Sequence, residues 1–382
     1  MFNLSGKHLL LATLFTQLLP SISAVPFPAT IGPYNTSVVT AQLIDHHRLD
    51  PYAPTPQPRT LMISLFHPVP PPACCPSLTP YMDPISATFE DERYAQAGIP
   101  AGAFSSLALQ NCKPCPSRRV KRSNYPLILF SSGLGNIRLL YSAMAQQLSS
   151  TGYIVVTVDH PYDADIVTFP NNSTILAANI TTNTQIIDDL NIRVKDMSFV
   201  LDQLHRPSVI SRLIPDRTCG LDTSKVGIYG HSLGGATAAE AMLSDPRLMG
   251  GVNLDGTFFG SVIDRGLDKP FMIMAHEGKN LTTDPSWGAL WPKLKGFRRG
   301  FMLGGSTHGT FTDLAVAADL IGLRAEFPAQ TAALLGSIDG RRALQVIATY
   351  TSRFFDVVLK GKKSELLDRS SMEFPEVTVG EN

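Results

Sequence analysis

No charge of either sign prevails in this chain: 32 lysines and arginines face 32 aspartates and glutamates, and only 17% of its 382 residues are charged. The basic excess that marks a nucleic-acid or anionic-surface binder is missing, and no nucleic-acid partner is expected. Cysteine is sparse, with five residues, which excludes a small disulfide-dense scaffold. Beyond the first two dozen residues no uninterrupted apolar run reaches the roughly 18 to 20 residues that cross a bilayer. No fixed-period repeat is visible either, which excludes a solenoid. What is present is 44% hydrophobic, enough for a folded core and too much for a disordered chain. The length suits two or three ordinary domains, but large α/β folds exceed about 250 residues as one unit.

The N-terminus has the layout of a secretory signal over residues 1–24. Lys7 supplies positive charge, Leu9 to Leu19 is mostly apolar, and Ser21-Ile22-Ser23-Ala24 offers small residues for cleavage. A buried helix is the weaker reading, because Pro20 and Val25-Pro26-Phe27-Pro28 would break it. The expected product is a soluble, exported, extracellular chain starting near Val25. Five acceptors for N-glycosylation, at Asn35, Asn171, Asn172, Asn179 and Asn280, fit that expectation. In an oxidising compartment Cys74, Cys75, Cys112, Cys115 and Cys219 favour disulfides over a zinc site, with the pairing open and one thiol left over. Arg119-Val120-Lys121-Arg122 reads either as a processing site or as a solvated basic loop.

Residues 25–125 form a proline- and cysteine-rich extension whose one clear strand-like run, Thr60 to Phe66, suggests an extended wrap carrying one or two edge strands. Strands then alternate with helices. The candidate strands are Leu127–Ser131, Tyr153–Val158, Val226–Tyr229, Gly251–Leu254, Phe271–Met274 and Gly300–Leu303. Helical patterns cover Arg138–Ser149, Thr184–His205, Gly235–Leu243, Thr312–Ile321 and Arg341–Leu359. Such alternation predicts a mostly parallel sheet with helices on both faces, in one domain over residues 25–363 followed by a flexible acidic tail over 364–382.

The chemistry concentrates at Gly230-His231-Ser232-Leu233-Gly234, which follows the strand-like Lys225–Tyr229 and leads into small residues suited to a helix start. A tight strand-to-helix turn strains and exposes the serine, and Gly230 and Gly234 avoid clashes around it. The Leu233 N–H at the helix start can stabilise negative charge. A serine hydroxyl needs a base, and only His276 and His308 follow Ser232. His308, in a glycine-bracketed loop after the last parallel strand, is the expected base, with His276 structural or pocket-lining. For the orienting acid, Asp255 closes one strand and is favoured by its tight position in Leu254-Asp255-Gly256, while Glu277 or Asp284 would follow the next. A second oxyanion donor is expected from Leu134, in the loop Ser131-Ser132-Gly133-Leu134-Gly135.

Taken together, Phe130–Gly135 with Leu140-Tyr141-Ser142, Gly152–Val156 into Asp159-His160, Gly230–Thr237, Leu254-Asp255-Gly256 and His308–Asp313 resemble the plasma-type platelet-activating-factor acetylhydrolase family. The resemblance implies an α/β-hydrolase fold, a Ser232–Asp255–His308 triad and an oxyanion hole from Leu134 and Leu233. It implies a calcium-independent, phospholipase A2-like esterase that removes short or oxidised sn-2 acyl groups from phospholipids and needs no cofactor or metal. Transient contact with a membrane or lipoprotein surface belongs to the same expectation, and Trp287, Leu290 and Trp291 would supply the apolar patch unless they are packing residues. Where the family usually has a histidine, this chain has Ser132. Competing expectations are a carboxylesterase or cutinase-like polyester hydrolase, and a non-catalytic binding protein on the same scaffold.

Overall fold

The computed structural model describes residues 24–115, 123–214 and 219–380. The signal segment before Ala24 and the basic run Arg119–Arg122 lie outside the described residues. The main sheet contains β1 (Asn35–Leu49), β2 (Pro58–Val69), β3 (Asn124–Ser131), β4 (Ile154–Asp159), β5 (Gly220–His231), β6 (Leu248–Leu254), β7 (Phe271–His276), β8 (Arg298–Leu303) and β9 (Val377–Val379). Their spatial order is β9-β8-β7-β6-β5-β3-β4-β2-β1. The neighbours from β8 through β4 run parallel, while β2 against β4, β1 against β2 and β9 against β8 are antiparallel. Every residue of β4 is buried, as a strand covered on both faces requires.

Two cores result, one on each face. Helices α1 (Ser142–Ser150) and α4 (Gly340–Lys360) cover one side, where Met144, Leu148, Leu344, Ile347 and Phe355 pack on the sheet. Helices α2 (Asn183–Leu204) and α3 (Leu233–Ser244) cover the other through Leu190, Met197, Val200, Ala236 and Met242. The start of α2 is fixed by a capping box between Thr182 and Gln185. α4 carries its apolar residues at three- and four-residue spacing and shows that stripe to the sheet.

The proline-rich run is integrated more deeply than an edge wrap. β2 lies inside the sheet, its last nine residues all buried, and β1, with 12 of its 15 residues partly or fully exposed, takes the edge. A separate three-stranded sheet joins Val25–Pro26, Leu107–Pro114 and Cys74–Pro80. Disulfides Cys74–Cys112 and Cys75–Cys115 tie its last two strands, and Cys219 lies buried outside both bridges. The expected loose tail is corrected: β9 pairs with β8, and Leu367, Phe374 and Val377 are buried, because three apolar anchors outweigh the acidic composition of 364–380. Among the described residues no helix is long and apolar enough to cross a membrane.

Candidate active site

Three strand ends converge at one edge of the sheet. β5 ends at His231, and Ser232 follows with φ 56° and ψ −125° before α3 begins at Leu233. A non-glycine residue in this conformation is strained, and the neighbouring glycines are what permit it. A Cβ on Gly234 would stand 2.0 Å from the Ser131 carbonyl oxygen, and one on Gly230 would stand 2.2 Å from the Gly234 backbone. The Ser232 N–H donates to Leu254 O at 3.0 Å, which ties the turn to β6.

Asp255 follows β6, also at positive φ (60°), and is buried. Of the three candidate acids it is the one that meets His308: Asp255 Oδ2 accepts from His308 Nδ1 at 2.5 Å. Burial alone would raise the Asp255 carboxyl, but hydrogen bonds from His276 and His308, with Lys279 nearby, hold it well below the usual carboxylate range. Glu277 instead accepts from the Gly305 N–H, and Asp284 caps a short helix and pairs with Lys279. His276 proves closer to the centre than its strand-end position suggested. Its Nδ1 lies 2.8 Å from both Asp255 oxygens, and its backbone N–H donates to Oδ1 at 3.0 Å.

Ser232 and His308 line one cavity of about 250 Å³, together with Leu134 and aliphatic residues such as Ile99, Leu323, Leu334 and Leu335. Among the described residues Ser232 Oγ takes no hydrogen bond, and Ser232 is only partly buried where it lines the cavity. In the loop after β3 the Gly133 N–H donates to Tyr141 Oη at 3.1 Å and the Gly135 N–H to Asp163 Oδ1 at 3.4 Å, which brackets Leu134. Leu233 is the first residue of α3, where an N–H has no intrahelical acceptor.

Sequence reasoning missed the support behind this loop. Arg193, fully buried in α2, donates to Ser132 O at 2.6 Å and pairs with Asp163 and Asp189. His160 lies 3.0 Å from Ser131 Oγ through Nε2 and 2.9 Å from Asp196 through Nδ1. These partners are 29 to 62 positions from the loop in the chain, and only the stretch Asp159-His160 had drawn notice. Of the two readings open for Trp287, Leu290 and Trp291, packing holds: all three are buried in the core, and Trp287 Nε1 donates to Gly256 O at 2.6 Å beside the Asp255 turn.

The sequence model of the family described as "Platelet-activating factor acetylhydrolase, isoform II" matches residues 78–198 and 217–366. A "Probable 1-alkyl-2-acetylglycerophosphocholine esterase" of Arthroderma benhamiae is 31% identical over 392 residues, covering 96% of each chain. The chain belongs to the platelet-activating factor acetylhydrolase family. A platelet-activating factor acetylhydrolase of Cavia porcellus is 30% identical over 58% of this chain and 55% of its own. Among solved structures, a ferulic acid esterase from Streptomyces cinnamoneus superposes with a TM-score of 0.77 at 30% identity, covering 94% of this chain and 100% of the esterase. With these relatives, the acetylhydrolase-family chain is a carboxylic ester hydrolase of the α/β-hydrolase fold.

Proposed function

We propose that this esterase is exported and cleaves short or oxidised sn-2 acyl esters of phospholipids through an acyl-enzyme on Ser232. The observation that carries the reading is the 2.5 Å contact between Asp255 Oδ2 and His308 Nδ1 beside the strained Ser232 turn. His308 takes the Ser232 proton through Nε2 as the oxygen attacks the ester carbonyl, then gives it to the departing alcohol. Water repeats the sequence on the acyl-enzyme. Asp255 fixes the imidazole with its proton on Nδ1 and stabilises the charged form. The Leu134 and Leu233 N–H groups receive the oxyanion, each contributing about 3 kcal/mol in the transition state. This scheme needs no metal or organic cofactor.

The phospholipid assignment is supported by the esterase relative that spans the whole chain and by the aliphatic cavity. Two disulfides, and glycosylation acceptors Asn35, Asn171, Asn172, Asn179 and Asn280 that are all exposed, support export. Leu334, 54% exposed at the cavity rim, is the residue we assign to contact with a lipid surface. The test is a panel of acetyl-phospholipid, long-acyl, aryl and polymeric esters with mass spectrometry of the group left on Ser232. An acetyl or short acyl adduct from phospholipid is expected. Turnover of polymer or aryl esters with no phospholipid cleavage would overturn the substrate, and a folded protein that an organophosphate does not label would overturn the chemistry.

A further inference from the structure

A serine relay needs one imidazole on its carboxylate, and this site has two. Asp255 Oδ2 lies 2.5 Å from His308 Nδ1 and 2.8 Å from His276 Nδ1. One ligand atom from each of the three residues falls within 4.8 Å of the others. Asp255 is fully buried, whereas the side chains of His276 and His308 are 31% and 51% exposed, so the cluster is open to solvent on its imidazole side. We infer that Asp255, His276 and His308 form a binding site for a borderline-soft divalent cation such as zinc, and that its occupation switches the esterase off. The switching half of this inference rests on the triad reading above; the binding half does not.

The donor set argues for the ion. Two imidazole nitrogens and a carboxylate oxygen suit zinc, copper or nickel and not calcium or magnesium, which prefer oxygen alone. Ligand atoms of a tetrahedral zinc stand about 3.3 Å apart, so each carboxylate–imidazole contact has to open by less than about 1 Å. The His276 backbone N–H, on Oδ1 at 3.0 Å, holds the carboxylate from outside and leaves Oδ2 for the ion. Lys279, whose Nζ lies 4.0 Å from Asp255 Oδ1, opposes a cation, but its ammonium also pairs with Asp284 at 3.2 Å.

The consequence for catalysis follows from proton placement. The relay requires the His308 proton on Nδ1 and a lone pair on Nε2 to receive the serine proton. Ligation through Nδ1 moves the proton of the neutral ring to Nε2, the atom that must be bare. It also takes Asp255 away from its role of orienting the ring. The ion need not touch Ser232 or the substrate to stop acyl transfer.

Cobalt titration of Ser232→Ala followed by visible absorption reports binding without any turnover. One cobalt per chain is expected, displaced by zinc, with affinity at least tenfold weaker when His276→Asn is added. His308→Asn in the same background is expected to act likewise, and unchanged melting temperatures show that each variant is folded. In parallel, zinc should inhibit wild-type hydrolysis of a soluble acetyl ester, EDTA should restore it, and His276→Asn should need at least tenfold more zinc relative to its own metal-free rate. No cobalt spectrum up to millimolar metal, or equal affinity with and without His276, would overturn the site. Binding without inhibition would overturn the switch. A wild-type protein inactive on every ester would sink the triad reading, while the cobalt spectrum would still decide the site.

Discussion

Tyr141 Oη lies 2.9 Å from His231 Nδ1, and this contact links the loops on either side of Ser232. The tyrosine hydroxyl accepts from the Gly133 N–H at 3.1 Å and from Asn136 Nδ2 at 2.9 Å, so its own hydrogen goes to His231 Nδ1. The His231 proton therefore sits on Nε2 and is donated to His308 O at 3.1 Å. Burial, with the neighbouring His308 next, pushes His231 down to about 3, so it stays neutral across the physiological range and keeps this direction of donation. The Gly133–Gly135 loop and the His308 backbone are thus connected through the side chains of Tyr141 and His231.

Tyr141→Phe removes the shared acceptor and frees the Gly133 N–H. We expect kcat to fall roughly tenfold to a hundredfold with KM little changed, since displacement of positioned groups costs about that much. A drop in melting temperature with kcat unchanged would show that the contact only supports folding.

Asp255→Asn leaves the turn after β6 but lets His308 adopt the wrong tautomer. Loss of about 10⁴-fold in kcat is expected, with organophosphate labelling of Ser232 slowed in proportion. Rapid labelling by the Asn variant would move the orienting role to another acid, and Asp284, which pairs with Lys279, would be the next to replace.

Much of this site was legible in the sequence for a local reason. The strained Ser232 turn is specified by Gly230 and Gly234 within five residues, and His308 follows a strand whose apolar run ends just before it. The tight position of Asp255 in Leu254-Asp255-Gly256 favours it over Glu277 and Asp284, but the sequence permits either placement because both strands end at the same edge of the sheet. Tyr141 with His231, and Arg193 with Ser132, are brought together only by tertiary packing across 90 and 61 positions, with no periodic pattern to announce them. The strand β9 escaped notice for a different reason: three residues are too few to show alternation, and its register comes from β8.

Acid should destabilise the fold through Asp196, which His160 links to Ser131 at the end of β3. It is fully buried; burial works to raise its carboxyl, yet Arg59, at 2.7 Å, and His160, at 2.9 Å, hold it well below the ordinary carboxylate value. A group depressed in the folded state contributes stability that is present above the unfolded pKa of about 3.9 and is lost as pH falls below it. Urea unfolding midpoints should therefore drop steeply below about pH 4. Asp196→Asn should flatten that part of the profile and cost about 3 kcal/mol or more at pH 7, because Arg59 is left buried without this partner. An Asn variant with the wild-type acid profile would place the acid lability elsewhere.

Lipid contact at the cavity rim can be separated from chemistry by changing Leu334. Its backbone carbonyl accepts from Thr307 Oγ1 at 2.7 Å, a bond that a side-chain replacement preserves, while the side chain is largely in solvent. Leu334→Asp places a charge where an apolar surface would dock, and burying an unpaired carboxylate there is costly. Hydrolysis of a short-acyl phospholipid in anionic vesicles should fall several-fold further than hydrolysis of a soluble acetyl ester by the same variant. The difference should appear mainly as a rise in the vesicle concentration needed for half-maximal rate, since the substitution weakens docking and leaves Ser232, His308 and Asp255 in place. Equal loss on both substrates would mean that Leu334 shapes the acyl cavity and that the docking surface lies on another face.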